Sequence, residues 1–339
     1  MAKVVAIDAM GGDHGVCVTV ASSIAIVRQY RDIKLILVGQ ETLIRKELAK
    51  HNAENDSAIS IVHTDQAIDM NEDPLKALRT KKKSSMRVAV NLVHEGQANA
   101  CVSAGNTGAL LATANFVLGK VSKVSRPGLI TAIPTRKSDH PVYIIDLGAN
   151  VDSEPKYLLD FAIMGSVMIE ACRGIATPKV ALLSNGHESV KGDALVKKTA
   201  ALLEQSDLNY VGYVEADDIF SGDVDLIVCD GFIGNIALKS LEGTAKFIKN
   251  QIKICLDNNF FAKLLAMLMY PFLRSFMNNL NPHKYNGASF LGIKGIVIKS
   301  HGSAGTESFA HAIREAIREV EHGVPQKITA HMHNSEVAQ

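Results

Sequence analysis

Short apolar runs alternate with longer stretches of helical periodicity along most of the chain. Val4 to Ile7, Ile33 to Val38 and Ile59 to Val62 are β-branched runs of strand length. Between them, Gly15 to Tyr30 and Thr42 to Lys50 have helix-like patterning. Further strands are predicted at Ala98 to Val102, Leu129 to Ile133, Val142 to Ile145, Val180 to Leu183, Tyr210 to Val214, Asp225 to Val228 and Gly295 to Lys299. Helices are predicted at Met86 to Glu95, Ala109 to Leu118, Pro155 to Arg173 and about Thr306 to Val320. Alternation of this kind predicts an α/β protein with a parallel, doubly wound sheet.

The residues after the strands repeat a theme. An acid, hydroxyl or amide ends the strand, glycine follows, and a helix begins. The theme recurs at 8–13 (DAMGGD), 103–108 (SAGNTG), 146–152 (DLGANVD), 184–192 and 230–239. In the second of these, Gly105 and Gly108 allow a sharp turn and close approach of a ligand. Ser103, Asn106 and Thr107 stand beside free N–H groups of a helix start, which attract anions and phosphate above all. Any one such turn is also an ordinary N-capped strand-to-helix connection. Five of them converging on one sheet edge predict a polar, glycine-lined cleft.

Two segments break the rhythm. From Ile68 to Arg87, Asp73-Pro74 starts a short helix, and Arg79, Lys81, Lys82, Lys83 and Arg87 cluster around Ser84-Ser85. Such a run is a solvated face or a landing site for an acidic partner or a phosphate. From Phe260 to Leu280, Phe260, Leu264, Leu268 and Phe272 open one i, i+4 row and Phe261 opens a second. Lys263, Pro271 and Arg274 argue against a membrane span. Three readings remain: a core or dimer-interface helix, a membrane-surface helix, and a groove for a partner or an acyl chain. The last residues, 331–339, read as a frayed tail after a single unit spanning 1–330.

Composition narrows the class. The chain has 339 residues, 47% hydrophobic and 21% charged, and is therefore globular. Lys plus Arg (36) nearly balances Asp plus Glu (35), which gives no case for nucleic acid. Five cysteines without a CxxC pair, and an N-terminus without a signal-peptide layout, read as a reduced, cytosolic protein. No GxGxxG follows the first strand, and there is no P-loop, GxSxG elbow or HExxH. His14, His187 and His301 are too scattered to make a metal site. Phosphate handling without a nucleotide motif remains. Lys191, Lys239 and Arg87 can neutralise an oxyanion, Asn106, Asn150 and Asn235 can donate hydrogen bonds, and Asp230 or Glu188 can take a proton.

Together with SSMRVAV (84–90), FAIMGSV (161–167), VCDGFIGNIALKSLEG (228–243) and IKSHGSA (298–304), these turns resemble the bacterial phosphate acyltransferases that make acyl phosphate for phospholipid synthesis. The resemblance implies a three-layer αβα fold like that of isocitrate and isopropylmalate dehydrogenases, with a central cleft and a protruding apolar helical segment at about 255–282. It implies a homodimer, no metal and no nucleotide cofactor. The substrates it implies are inorganic phosphate and an acyl carrier protein thioester. Catalytic roles then fall to Lys191, Asn235, Glu188 and Asp230, and substrate contacts to Ser103, Gly105, Asn106, Thr107, Asn150, Lys239 and His301. The basic run becomes the carrier-protein contact. The apolar segment becomes a membrane or interface contact, near a membrane-bound glycerol-3-phosphate acyltransferase at the inner face of the cell membrane. Where the family has Gly-Glu-Glu, this chain has Gly186-His187-Glu188. Rival readings are a phosphotransacetylase-like enzyme using acyl-coenzyme A, a dehydrogenase of the same fold, and a non-catalytic carrier-protein and membrane scaffold.

Overall fold

The computed structural model describes residues 3–137, 140–188, 190–257, 269 and 285–334. The first alternating stretch forms β1 (Lys3–Asp8), α1 (Gly15–Gln29), β2 (Ile33–Gly39), α2 (Glu41–Lys50) and β3 (Ile59–His63). The basic segment forms α3 (Pro74–Thr80) and α4 (Ser85–His94), then come β4 (Ala100–Ser103) and α5 (Thr107–Leu118). The middle of the chain supplies β5 (Gly128–Ile133), β6 (Val142–Ile145), α6 (Pro155–Arg173), β7 (Val180–Leu183), α7 (Ala194–Glu204) and β8 (Tyr210–Val214). The remainder is β9 (Leu226–Val228), α8 (Gly231–Asp257), β10 (Ala288–Leu291), β11 (Ile296–Lys299), α9 (Thr306–His322) and α10 (Val324–Asn334). Helix starts are fixed by side-chain caps: Asp73, Ser84, Asn106 and Asp193 accept from Lys76, Arg87, Ala109 and Val196 backbone N–H groups.

The strands form one sheet in the order β3-β2-β1-β4-β11-β10-β5-β6-β9-β7-β8. It is mixed, which corrects the all-parallel expectation. β10 pairs antiparallel with both β11 and β5, and β5 pairs antiparallel with β6. The short links 292–295 and 134–141 permit those pairings, because parallel neighbours need a crossover. As a result the parallel block β3-β2-β1-β4-β11 and the parallel block β6-β9-β7-β8 run in opposite directions. Their carboxyl ends therefore lie at opposite edges, and the glycine turns do not meet at a single edge.

Helices cover both faces. One face packs α1, α2 and α9 on the first block and α6, α7 and α10 on the second, burying Ile7, Leu37 and Phe309, and Phe161, Met164 and Val228. The other face packs α4, α5 and α8 over both blocks, burying Cys101, Leu110, Ile144 and Val297. This is a three-layer αβα arrangement. Ile328 and Met332 of α10 are buried, so residues 331–334 of the expected frayed tail form the end of a packed helix. Phe260, Phe261, Leu264, Leu268 and Phe272 lie outside the described residues. Among the described residues, no helix is long and apolar enough to cross a membrane.

Candidate active site

At the first edge, β1, β4 and β11 end side by side, and their turns are close-packed. A Cβ on Gly11 would stand 2.8 Å from the Gly105 nitrogen, and one on Gly12 would stand 2.9 Å from the Ala104 Cβ. Gly12 also has φ of +87°, which disfavours any side chain there. Ser103 Oγ donates to Asp8 Oδ2 (2.6 Å) and accepts from the Gly105 N–H (3.0 Å). Asn106 Oδ1 accepts from Ala109 N (3.0 Å), while its Nδ2 donates to the carbonyls of Met70 (2.8 Å) and Glu72 (3.0 Å). Ser103, Gly105 and Asn106, expected to hold an anion, are therefore engaged with the fold itself. The Thr107 hydroxyl has no partner among the described residues and remains available.

Two ionisable residues lie beneath these turns: Asp8, which the sequence marks as a strand-end acid without a role, and Lys299, which it does not single out. Asp8 is buried and its Oδ1 has no hydrogen-bond partner among the described residues. Burial pushes its carboxyl up, against the hydrogen bond from Ser103. Lys299 ends β11 directly opposite Ser103 and is 8% exposed. Its ammonium donates to the carbonyls of Ala104 and Ser300. Burial first, then the charge of Lys239, bring it down to about 8, while Asp8 and Asp13 act in the opposite sense. The sequence carried one signal for both: each is the last residue of a strand, just before a turn.

Helix α8 ties this edge to the other. Its first turn sits tightly on the loop after β6. The Gly231 N–H donates to the Asn150 carbonyl (2.8 Å), and a Cβ on Gly234 would collide with the Asp146 carbonyl oxygen. Farther along, Lys239 and Glu242 reach the first edge. Glu242 pairs with Lys239 (3.0 Å) and faces His301 Nε2 (3.6 Å). His301, followed by Lys239, holds the Glu242 carboxyl down at about 2, against burial. His301 Nδ1 accepts from the Ser303 N–H (3.2 Å). Asn286 fixes the same turn by accepting from the His301 N–H (2.9 Å) and donating to Ser300 Oγ (2.8 Å). Asn235, Lys239 and Glu242 share one stripe of α8, with about 6 Å of rise between the first two.

At the second edge, Asp146 is saturated. It accepts from the backbone N–H groups of Leu129, Ala149 and Asn150 and from Asn150 Nδ2 (2.8–3.2 Å). Burial raises its carboxyl against these bonds. Asn150 Nδ2 also donates to the Pro127 carbonyl (2.8 Å), so this amide is structural. Asp230 Oδ1 caps α8 by accepting from Phe232 (2.9 Å) and Ile233 (3.0 Å). By contrast, Lys191, Glu188 and Asn235 are exposed, and their side-chain polar atoms have no partner among the described residues. Lys191 and Glu188 both lie against Gly186, and Asn235 lies over Gly148. β7 neighbours β9, which sets the 184–192 loop beside the start of α8. His187 bridges to Asp218 (3.0 Å) and Glu215 (3.6 Å), giving this departure from the family pattern a structural partner.

The basic segment divides. Lys81 donates to the Ala67 carbonyl (2.7 Å) and pairs with Glu72 (2.8 Å), so it cross-links its own loop. Arg87 lies 4.9 Å from the centre of the Phe116 ring, itself 69% exposed. Arg79, Lys82 and Lys83 present their charges to solvent.

Residues 3–327 match the family described as fatty acid synthesis protein. A phosphate acyltransferase of Nitrosococcus oceani is 46% identical over 332 residues, covering 98% of this chain and 97% of that one. One of Hydrogenovibrio crunogenus is 48% identical over 325 residues, with 96% of each chain covered. Among solved structures, a phosphotransacetylase from Streptococcus pyogenes superposes with a TM-score of 0.63 at 16% identity, covering 94% of each chain. A branched-chain phosphotransacylase from Enterococcus faecalis gives 0.62 at 18% identity, with 94% of this chain and 99% of that one covered. These two establish likeness of fold. The relatives share nearly the whole length of the sequence, and the chain belongs to the phosphate acyltransferase family of acyl-transferring enzymes.

Proposed function

We propose that the chain transfers an acyl group from an acyl carrier protein thioester to inorganic phosphate, producing acyl phosphate for phospholipid synthesis. The observation that carries this reading is the stripe on α8. On it the unpartnered amide of Asn235 stands one helical turn from Lys239, which shares Glu242 with His301 and acts through its charge on Lys299. Lys239, His301 and the Thr107 hydroxyl hold the phosphate. Asn235, with Lys191 nearby, donates to the thioester carbonyl as its oxygen becomes negative. A phosphate oxygen attacks the carbonyl carbon, the new C–O bond forms and the C–S bond breaks. The proton of hydrogenphosphate ends on the sulfur, so acyl phosphate and free thiol balance the substrates.

Arg79, Lys82 and Lys83 meet the acidic carrier, with Arg87 and Phe116 at their margin. The protein works in the cytoplasm as a homodimer of the isopropylmalate dehydrogenase-like type. Its apolar segment at about 255–282 lies at the membrane's inner face, where a glycerol-3-phosphate acyltransferase takes the product. Palmitoyl carrier protein and ¹⁸O-labelled phosphate test the chemistry. Labelled palmitoyl phosphate in the mass spectrum supports the reading, whereas unlabelled free palmitate with no acyl phosphate overturns it.

A further inference from the structure

Asp8, Ser103 and Lys299 occupy one register at the ends of three adjacent parallel strands. Ser103 pairs with Lys299, and Asp8 lies one step beyond the Ile7–Val102 pair. Alternation places all three on the face that carries Ala6, Cys101 and Val297, beneath the α4, α5 and α8 layer. A polar row thus ends three apolar rows. Asp8 and Ser103 bond to each other, but among the described residues the Lys299 ammonium hydrogen-bonds only to backbone carbonyls. No carboxylate lies within 4.0 Å of its ammonium among the described residues. A buried lysine without a counter-ion is costly, and an apolar residue would serve a purely structural role better.

We propose that Lys299 is the acid that protonates the departing sulfur of the thioester. This rests on the acyl-phosphate reading above. Of the other acids, Asp230 Oδ1 is engaged in capping α8 and Glu188 stands exposed beside Lys191, whereas Lys299 is buried. The charged groups acting on Lys299 are Lys239 from α8, Asp8 from β1 and Asp13 from the turn after β1, with Glu242 and His301 beyond Lys239. Burial and Lys239 bring the ammonium to about 8. A free thiol has a pKa of about 8.5, so the two are matched for proton transfer near neutral pH. As the C–S bond breaks, the sulfur takes a proton from Lys299. The amine then takes the proton released by the attacking hydrogenphosphate, and the relay resets with no outside donor.

The test compares leaving groups in Lys299→Met and Lys299→Arg. An alkyl thioester on carrier protein needs the acid. An aryl thioester of the same acyl chain, with a far more acidic thiol, does not. Lys299→Met is expected to lower turnover of the carrier ester by about 10²-fold or more while lowering that of the aryl ester by less than about 10-fold. The aryl-ester rate also reports that the variant is folded. With the carrier ester, wild-type kcat is expected to fall as pH rises through about 8, and Lys299→Arg to be slow without that limb. Equal losses on the two esters, or an unchanged limb in Lys299→Arg, would overturn the assignment. A wild-type enzyme that releases thiol from neither ester with phosphate overturns the acyl-phosphate reading itself, and this assignment with it.

Discussion

The two edges of the sheet carry the same sequence pattern and use it differently. At the first edge the α3–α4 segment folds over the turns. Asn106 ties the turn to Met70 and Glu72, and Ser103 ties it to Asp8, so these two side chains are consumed in holding the turn and only the Thr107 hydroxyl is left over. At the second edge Asp146 and Asn150 do the same structural work, yet Lys191, Glu188 and Asn235 are left uncovered. The same strand-end pattern thus leaves Lys191, Glu188 and Asn235 free at the edge that the α3–α4 segment does not cover. Helix α8 begins at the open edge and delivers Lys239 to the closed one.

The largest effect is expected at the joint between the two edges. Gly234→Ala would force a Cβ into the Asp146 carbonyl oxygen. Ordinary overpacking costs about 1–3 kcal/mol, and a fixed backbone atom cannot swing aside. Loss of cooperative unfolding, or a drop of at least that size in urea titration, is expected. Gly243→Ala, where nothing among the described residues lies within 4 Å, is expected to stabilise α8 by up to about 1 kcal/mol. Equal effects at the two positions would mean that α8 is not clamped at its start.

The next contrast is between two asparagines. Asn106→Ala removes a cap and leaves two carbonyls unpaired, a loss of about 2 kcal/mol in unfolding. Asn235→Ala is expected to leave stability within about 0.5 kcal/mol but to lower kcat by about 10²-fold. The reverse assignment of effects would exchange the roles of the edges. A smaller effect separates the lysines of the basic segment. Lys82→Glu with Lys83→Glu is expected to raise KM for the carrier several-fold, and less so at high salt. Lys81→Ala is expected to lower stability by about 1 kcal/mol and leave that KM unchanged.

The smallest effect is pH-dependent. Glu242 is held below its ordinary value, so its contribution is present above the unfolded carboxyl pKa near 4.5 and is lost as pH falls toward about 2. Unfolding of Glu242→Gln should show a shallower acid limb over that window. Identical limbs would mean that the contact with His301 and Lys239 does not fasten α8.

Much of this was legible in the chain. Strand and helix positions follow from period, and the caps Asp73, Ser84 and Asn106 follow from residue type. Strand direction was not legible. Leu129 to Ile133 and Val142 to Ile145 read the same in either sense, and β10 is a four-residue run (ASFL) beside a long apolar segment. The open-edge residues Lys191, Glu188 and Asn235 were named from motif alone. Lys299 was overlooked because a lysine reads as exposed until the facing of its strand is known. Lys81 reads as one more charge of the basic run, because its partners Glu72 and Ala67 come from an irregular loop that the pattern does not show.

The most direct test of the account is release of free thiol from palmitoyl carrier protein as a function of inorganic phosphate, with palmitoyl-coenzyme A measured in parallel. Saturable, phosphate-dependent release from the carrier ester is expected, with little from the coenzyme A ester. Release that ignores phosphate, or equal use of coenzyme A, would contradict it.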